Sequence, residues 1–276
     1  MQKLFDFYNY LKFFMSFYFT SIFNYKFNKV YDDKIYLKLQ HKYLKKGELN
    51  HITDFEIKNN YSVNRKWLNN LALHTQVTIK KSEINYEHGK ILYSSLSKYI
   101  SANKSNLKEY TIFETGTAKG FSSICLSKAL IDQNVKGEIL SIDVVPHNIK
   151  RYWNVIDDSK GKKTREELLS NWHNECKNIK FMTGNISNII KSLKLERINF
   201  AFIDSIHTPS QIKLEFRFIA NKQKIGDIII LDDIDTSYDR YNLPRFRYLI
   251  DEFPNYNYEF IESFYPRCYA IAKKTS

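Results

Sequence analysis

The chain has 276 residues and a formal net charge of +12, with 43% hydrophobic and 16% aromatic residues; that length buries a substantial core and suits one α/β domain plus an elaboration. Its three cysteines, Cys125, Cys176 and Cys268, are widely spaced and form no CxxC, which excludes a disulfide framework or zinc cluster and makes a reducing, intracellular setting the default. The basic excess is uneven: residues 1–110 hold 18 Lys/Arg against 9 Asp/Glu, and residues 111–276 hold 24 against 21.

The first 29 residues are strongly aromatic. Phe13 to Tyr25 are uncharged, a run of 13, short of the roughly 20 residues that cross a bilayer, and no small-residue cleavage site follows. The segment is expected to pack in a core or between protomers, ahead of the alternative of an interfacial helix with Lys3, Lys12, Lys26 and Lys29 near lipid headgroups. A lysine excess among aromatics also suits nucleic acid, although an AT-rich genome gives the same abundance of Lys, Asn, Ile, Tyr and Phe. The region to residue 84 reads as mostly helical, and a helix at 87–101 feeds the part that follows. The expected division is therefore 1–84, helical, aromatic-rich and basic, and 85–276, a cofactor-binding domain.

From residue 111 short β-rich runs alternate with helical stretches, the pattern of a Rossmann-like doubly wound sheet. Strands are expected at 111–115, 138–143, 178–182, 198–204, 226–231, 257–263 and 267–273, with helices near 119–131, 162–176, 186–194, 208–222 and 243–253. Only Phe264, Tyr265 and Pro266 separate the last two of these seven strands. That is too short for a right-handed crossover, so those two pair antiparallel.

The first strand runs into TIFETGTAKGFSS, where an apolar run ends in Glu114 and enters a glycine turn that leads into a helix. Open α/β sheets bind nucleotide-type cofactors at this place. Gly116 suits the positive φ of a tight turn, and Gly120 suits close packing of the following helix. Ala118 and Phe121 stand where a dinucleotide fingerprint requires glycine, and no P-loop is present. Asp143 closes the second strand, placed for a ribose diol or as a turn cap. After the third strand Asn185 serves an adenine edge, the N-cap of the next helix, or both.

The fourth strand ends in FIDSIHTPS and the fifth in IIILDDIDTS. Asp204, Asp232 and Asp233 thereby converge at neighbouring strand ends, where their mutual repulsion calls for a cation or proton. Oxygen ligands of this kind suit Mg²⁺ or another hard divalent cation. His207 lies three residues beyond Asp204, placed as a general base. His41, His51, His74, His88, His147 and His173 lack such company and read as structural or surface residues. Asp235 and Asp239 read as supporting or solvated acids, and Cys125 as a buried thiol.

In order, ETGTAKG, LSIDVVP, MTGNIS, FIDSIH and GDIIILDDID resemble the successive motifs of class I S-adenosylmethionine-dependent methyltransferases. The likeness spans residues 85–273 and is greatest to the group of metal-dependent sugar O-methyltransferases and cephalosporin-hydroxylase-like proteins. It implies that Glu114, Gly116, Thr117 and Gly120 hold the methionine part of S-adenosylmethionine, Asp143 its ribose and Asn185 its adenine side, with Asp204 beside them. It also implies Mg²⁺ on Asp204, Asp232 and Asp233, with Asp204 and His207 as the catalytic pair. Ala118 and Asn185 depart from a commoner glycine and aspartate.

The expected reaction is methyl transfer to a hydroxyl of a small molecule or sugar, as in glycan or secondary-metabolite synthesis, by a cytoplasmic, homo-oligomeric enzyme with peripheral membrane contact through residues 1–29. Nucleic acid is the weaker acceptor, because FIDSIH is not the NPPY or DPPY loop of base amino methylation. A non-catalytic membrane-peripheral protein that retains the fold is the rival from another class.

Overall fold

The computed structural model describes residues 30–237, 246–263 and 267–276. The aromatic segment 1–29, Asp239 and residues 264–266 lie outside the described residues. Four helices open the described chain: α1 (Asp33–Lys45), α2 (Asn50–Asn59), α3 (Arg65–Thr75) and α4 (His88–Asn103). Their starts are written locally, since Asp32 caps α1 by accepting from Lys34 N–H and Asn64 caps α3 by accepting from Trp67 N–H, each satisfying an orphan donor. No described helix is long and apolar enough to cross a membrane.

Strands β1 (Glu109–Thr115), β2 (Lys136–Asp143), β3 (Ile179–Thr183), β4 (Phe200–Ile203), β5 (Ile228–Asp235), β6 (Tyr256–Glu262) and β7 (Arg267–Lys274) form one sheet in the order β3-β2-β1-β4-β5-β7-β6. The first five are parallel, and β7 inserts antiparallel between β5 and β6. The chain reverses direction across the sheet between β1 and β4, the switch point where such sheets open a crevice at the carboxyl ends of their strands.

Helices α5 (Phe121–Asp132), α8 (Ile186–Ser192), α9 (Pro209–Ala220) and α10 (Arg247–Glu252) connect the strands. The single helix expected over 162–176 is instead broken into α6 (Arg165–Leu168), a 3₁₀ turn at Ser170–Trp172 and α7 (His173–Cys176). Leu168, Leu169 and Trp172 of the broken stretch are buried, together with Arg165. The backbone departs from the helix at Leu169 (ψ 12°), and the turn lets Leu169 reach Gly120 while Trp172 reaches His74.

Two hydrophobic clusters cover the two faces of the sheet. One joins Ile52, Leu68, Leu71 and Leu96 of the N-terminal helices to Ile124 of α5 and to Phe200, Phe202 and Ile230 of the sheet. The other joins Phe113, Ala201, Ile203, Ile229 and Leu231 to Ile212, Phe216 and Ile219 of α9. Alternate residues of β4 thus face opposite layers, as a parallel strand buried on both sides requires. The N-terminal helices therefore supply the cover on one face of the sheet.

Within that cover runs an ionic chain that is buried at Glu56, Glu87 and Lys90 and reaches solvent at Glu48. Arg65 pairs with Glu48 and Glu56, and Lys90, only 2% exposed, pairs with Glu48 and Glu87. Tyr43 donates to Glu87. Every charge in this chain meets an opposite one, which is the condition for keeping it inside.

Candidate functional site

The carboxyl end of β1 turns at Gly116, whose φ is +90°. A Cβ there would stand 1.9 Å from the carbonyl oxygen of Asp204, so only glycine lets the turn lie against the end of β4. Ala118 also takes positive φ (+45°), and Gly120 (+91°) leads into α5 with its α-hydrogen against Leu169. Among the described residues no side chain caps α5. The unpaired N–H groups of its first turn, with the helix dipole, suit a carboxylate such as the methionine end of the cofactor.

Below the loop Glu114 is fully buried, its carboxylate accepting from the hydroxyls of Ser123 and Ser141. Burial pushes its pKa up, against the opposing pull of the serine hydroxyls and Arg165. Thr117 also turns inward, its hydroxyl 2.5 Å from that of Ser141. Both side chains thus brace the loop from beneath, and the second carboxylate oxygen of Glu114 has no hydrogen-bond partner among the described residues. Asp143 closes the loop from β2: one carboxylate oxygen accepts from Ala118 N–H at 2.5 Å, the other from Val145 N–H at 2.7 Å. It acts as the turn cap here, with the second lone pairs of both oxygens left for a diol. Asn185 caps α8 by accepting from Ser187 N–H at 2.9 Å.

Asp204 follows β4 directly, its N–H bound to Thr115 O at 3.0 Å. Burial raises its pKa well above the usual carboxylate range, and the charges of Asp232, Asp233, Glu114 and Asp143 raise it further. Asp232 and Asp233 stand inside β5, which runs four residues beyond its expected end and shifts register between Leu231 and Ile234. Asp233 adopts φ +54°, with its N–H on the carboxylate of Asp232. Such a bulge re-aims side chains, and here Asp233 and Asp204 both approach His207. The His207 Nε2 is 3.5 Å from Asp204 Oδ1 and 3.9 Å from Asp233 Oδ2. Among the described residues, no three His, Cys, Asp or Glu side chains form a group that could hold a metal ion. The donor types of Asp204, Asp232 and Asp233 are those a hard cation takes.

Three supporting residues escaped the sequence reading. Arg165 is fully buried and joins the two walls of the site, donating to Ala118 O at 2.9 Å and Val145 O at 3.1 Å. Burial lowers its pKa to about 10 against the pull of Asp143 and Glu114. Glu215 of α9 accepts from Thr115, Ser205 and Gln211 at 2.5–2.6 Å, tying together the carboxyl ends of β1 and β4. Lys119, on the loop itself, has its pKa lowered to about 8 by burial and then by the charge of Lys80, with Asp158 opposing.

Residues 113–234 match the model of a family described as a methyltransferase domain. None of the curated proteins matches the chain. Among solved structures, the chain is similar to the O-methyltransferase TomG from Streptomyces achromogenes, solved with S-adenosylmethionine, at 15% identity and a TM-score of 0.53, over 78% of this chain and 92% of that one. A Klebsiella pneumoniae structure provisionally assigned as an O-methyltransferase gives 13% and 0.51 over the same shares. At such identities these two likenesses speak for the fold alone. The family match lies on the segment that holds the glycine loop, Asp143, Asp204 and the β5 bulge, and residues 113–234 of this chain are similar to a methyltransferase domain carried on a Rossmann-like sheet.

Proposed function

We propose that the enzyme methylates a hydroxyl oxygen of a small molecule or sugar, with a divalent cation at Asp204, Asp232 and Asp233 and with His207 as the base. The observation that carries this is the placement of the His207 imidazole between Asp204 and Asp233, on the loop after β4 whose first residue, Asp204, touches the Gly116 turn. The names of the similar structures, O-methyltransferases both, support the oxygen acceptor.

S-adenosylmethionine supplies an electrophilic methyl group on a sulfonium, which leaves as a neutral thioether when an oxygen lone pair takes the methyl. A hydroxyl is a poor nucleophile at neutral pH, so the protein must take its proton. His207 Nε2 accepts that proton, and Asp204 and Asp233 orient the ring and stabilise the positive charge it acquires. Asp204, Asp232 and Asp233 offer the oxygen ligands for Mg²⁺, which would lower the pKa of a bound hydroxyl. The loop from Gly116 to Gly120 and the first turn of α5 hold the methionine end, and Asp143 the ribose. Alignment of acceptor oxygen, methyl and sulfur supplies much of the remaining rate.

His207→Ala is expected to reduce turnover by about 10² to 10⁴ while leaving affinity for S-adenosylhomocysteine within about twofold of wild type. Chelation is expected to abolish turnover, and Mg²⁺ or Mn²⁺ to restore it. Wild-type turnover in the variant would remove His207 as base, and full activity after exhaustive chelation would remove the cation.

A further inference from the structure

Residues 79–85, which join α3 to α4, are fastened at both ends. Ile79 donates its N–H to Asn154 Oδ1 at 3.2 Å and its carbonyl accepts from Asn154 Nδ2 at 2.9 Å, while Asn85 Nδ2 donates to Ser263 Oγ at 2.9 Å and to Tyr269 Oη at 3.1 Å. Asn154 belongs to the chain after β2, where its neighbours Trp153 and Val155 pack with Val145, and Tyr269 lies near the start of β7. In the sheet β1, β4 and β5 stand between β2 and β7, and the start of β7 is level with the carboxyl end of β5, Arg267 opposite Asp235. The segment is thus a strap that passes along the carboxyl ends of the three strands carrying the glycine loop, Asp204 and Asp233.

The end of α1 closes against this strap. Lys46 pairs with Glu83 at 2.6 Å, Tyr43 donates to Glu87, and the Tyr43 and Tyr86 rings meet at 4.2 Å. Between helix and strap lies a cavity of about 270 Å³, lined by Lys42 and Lys46 from the helix end and by Lys80, Lys81 and Glu83 from the strap. The side chains of Thr78 and Ser82 add hydroxyls to the same lining. Among the described residues Glu83 is its one carboxylate, and Lys46 already holds it, whereas Lys42, Lys80 and Lys81 make no hydrogen bond or ion pair.

Four ammonium groups around so small a space repel one another. The carboxyl end of α1 offsets them by about half a charge and Glu83 by one, so the lining keeps a positive excess. Lysine presents a compact ammonium with three donors, a point-charge partner for phosphate oxygens. The cavity is smaller than the roughly 300–1,000 Å³ of pockets that enclose a whole ligand, a size for an anionic group rather than for a complete molecule.

We propose that the cavity between α1 and the strap is a second binding site, separate from the cofactor loop, for a phosphate or diphosphate group. Lys42, Lys80 and Lys81 meet its oxygens, with the hydroxyls of Thr78 and Ser82 beside them, and Lys46 and Glu83 hold the two walls together. The site goes beyond the proposed methyl transfer and does not depend on it. Its ligand is either free phosphate or the phosphate of a larger molecule whose remainder lies in the crevice along which the strap runs.

The test titrates pyrophosphate, and separately UDP-glucose, into the full chain by calorimetry. Salt is kept at about 0.15 M to screen exposed charge, and S-adenosylhomocysteine is present to fill the first turn of α5. One saturable site for pyrophosphate is expected. Lys42→Gln with Lys81→Gln is expected to weaken it by about tenfold or more, with the urea midpoint unchanged. Lys108→Gln with Lys136→Gln removes the same charge beside the amino ends of β1 and β2 and is expected to leave the affinity within about twofold. No saturable binding of pyrophosphate would overturn the site, and so would equal weakening in the two double variants. UDP-glucose separates the two sources. Binding tighter than that of pyrophosphate, and weakened by Lys42→Gln with Lys81→Gln, assigns the site to the phosphate of a larger ligand; equal or weaker binding assigns it to free phosphate.

Discussion

At Ala118 and Gly116 the cofactor loop carries two backbone demands that its residues meet unequally. Ala118 at φ +45° accepts the left-handed region that costs an L-residue about 1–2 kcal/mol. Ala118→Gly removes that cost and loosens the unfolded chain by about 0.4–1 kcal/mol. The net expectation is a gain of roughly 0.5 kcal/mol, read as a higher urea midpoint; a loss above about 1 kcal/mol would show that the alanine methyl packs usefully. Gly116 is the opposite case. With the Asp204 carbonyl 1.9 Å from any added Cβ, Gly116→Ala must push β1 and β4 apart. It is expected to cost about 2–4 kcal/mol and to abolish S-adenosylhomocysteine binding by calorimetry; retained affinity would mean that the loop is not the cofactor cradle.

At the scale of elements, the excursion between β2 and β3 is fastened to the N-terminal helices by polar contacts. Tyr36 of α1 donates to Asn154 at 3.2 Å, Asn154 donates to Ile79 O at 2.9 Å, and Asp157 pairs with His74 of α3 and with Lys163. Burial pushes the Asp157 pKa up, but hydrogen bonds and charges from His74 and Lys163 outweigh it and hold the group down at about 2. A folded-state pKa below the unfolded value near 3.9 contributes stability that is present above pH 4 and lost as pH falls toward 2. Asp157→Asn is therefore expected to lose about 1–2 kcal/mol at pH 6. The deficit relative to wild type should shrink as unfolding is measured at pH 4, 3 and 2.5. A deficit that does not change with pH would mean that Asp157 acts through packing alone.

Arg165 fastens the second joint, between the glycine loop and the chain after β2. Arg165→Met keeps much of the volume and removes both carbonyl contacts, and the first effect is expected on the loop. S-adenosylhomocysteine affinity should fall by about tenfold or more, the worth of a hydrogen bond to a charged group, with the far-UV spectrum unchanged. Equal affinity in a folded variant would make Arg165 a core residue only.

Across the whole molecule, what the sequence disclosed was local. The seven strands and the antiparallel close follow from short apolar runs and from a three-residue gap before β7. The site loops follow from one glycine turn and from acids at strand ends, features that depend on neighbours in the chain. Contacts spanning long separations stayed hidden. Arg165 meets Ala118 across 47 residues and Glu215 meets Thr115 across 100, and neither has a motif to announce it. His88, expected to be structural or a surface residue, is buried against Phe121 and Phe202 from other elements. Asp232 and Asp233 were legible as acids close to Asp204, but the bulge that turns them was not, since a run of Ile and Leu followed by Asp fits a strand end as well as a strand interior.

The central claim is that the labelled methyl of S-adenosylmethionine ends on a hydroxyl oxygen of a small molecule or sugar. Its most direct test is mass spectrometry of products after incubating the full chain with labelled S-adenosylmethionine, a panel of sugars, nucleotide sugars and phenols, and Mg²⁺ or a chelator. The account predicts a labelled O-methyl ether on a sugar or nucleotide sugar, formed with Mg²⁺ and suppressed by the chelator. Label on nitrogen or carbon would contradict it, as would no transfer to any hydroxyl of the panel by protein shown to bind S-adenosylhomocysteine.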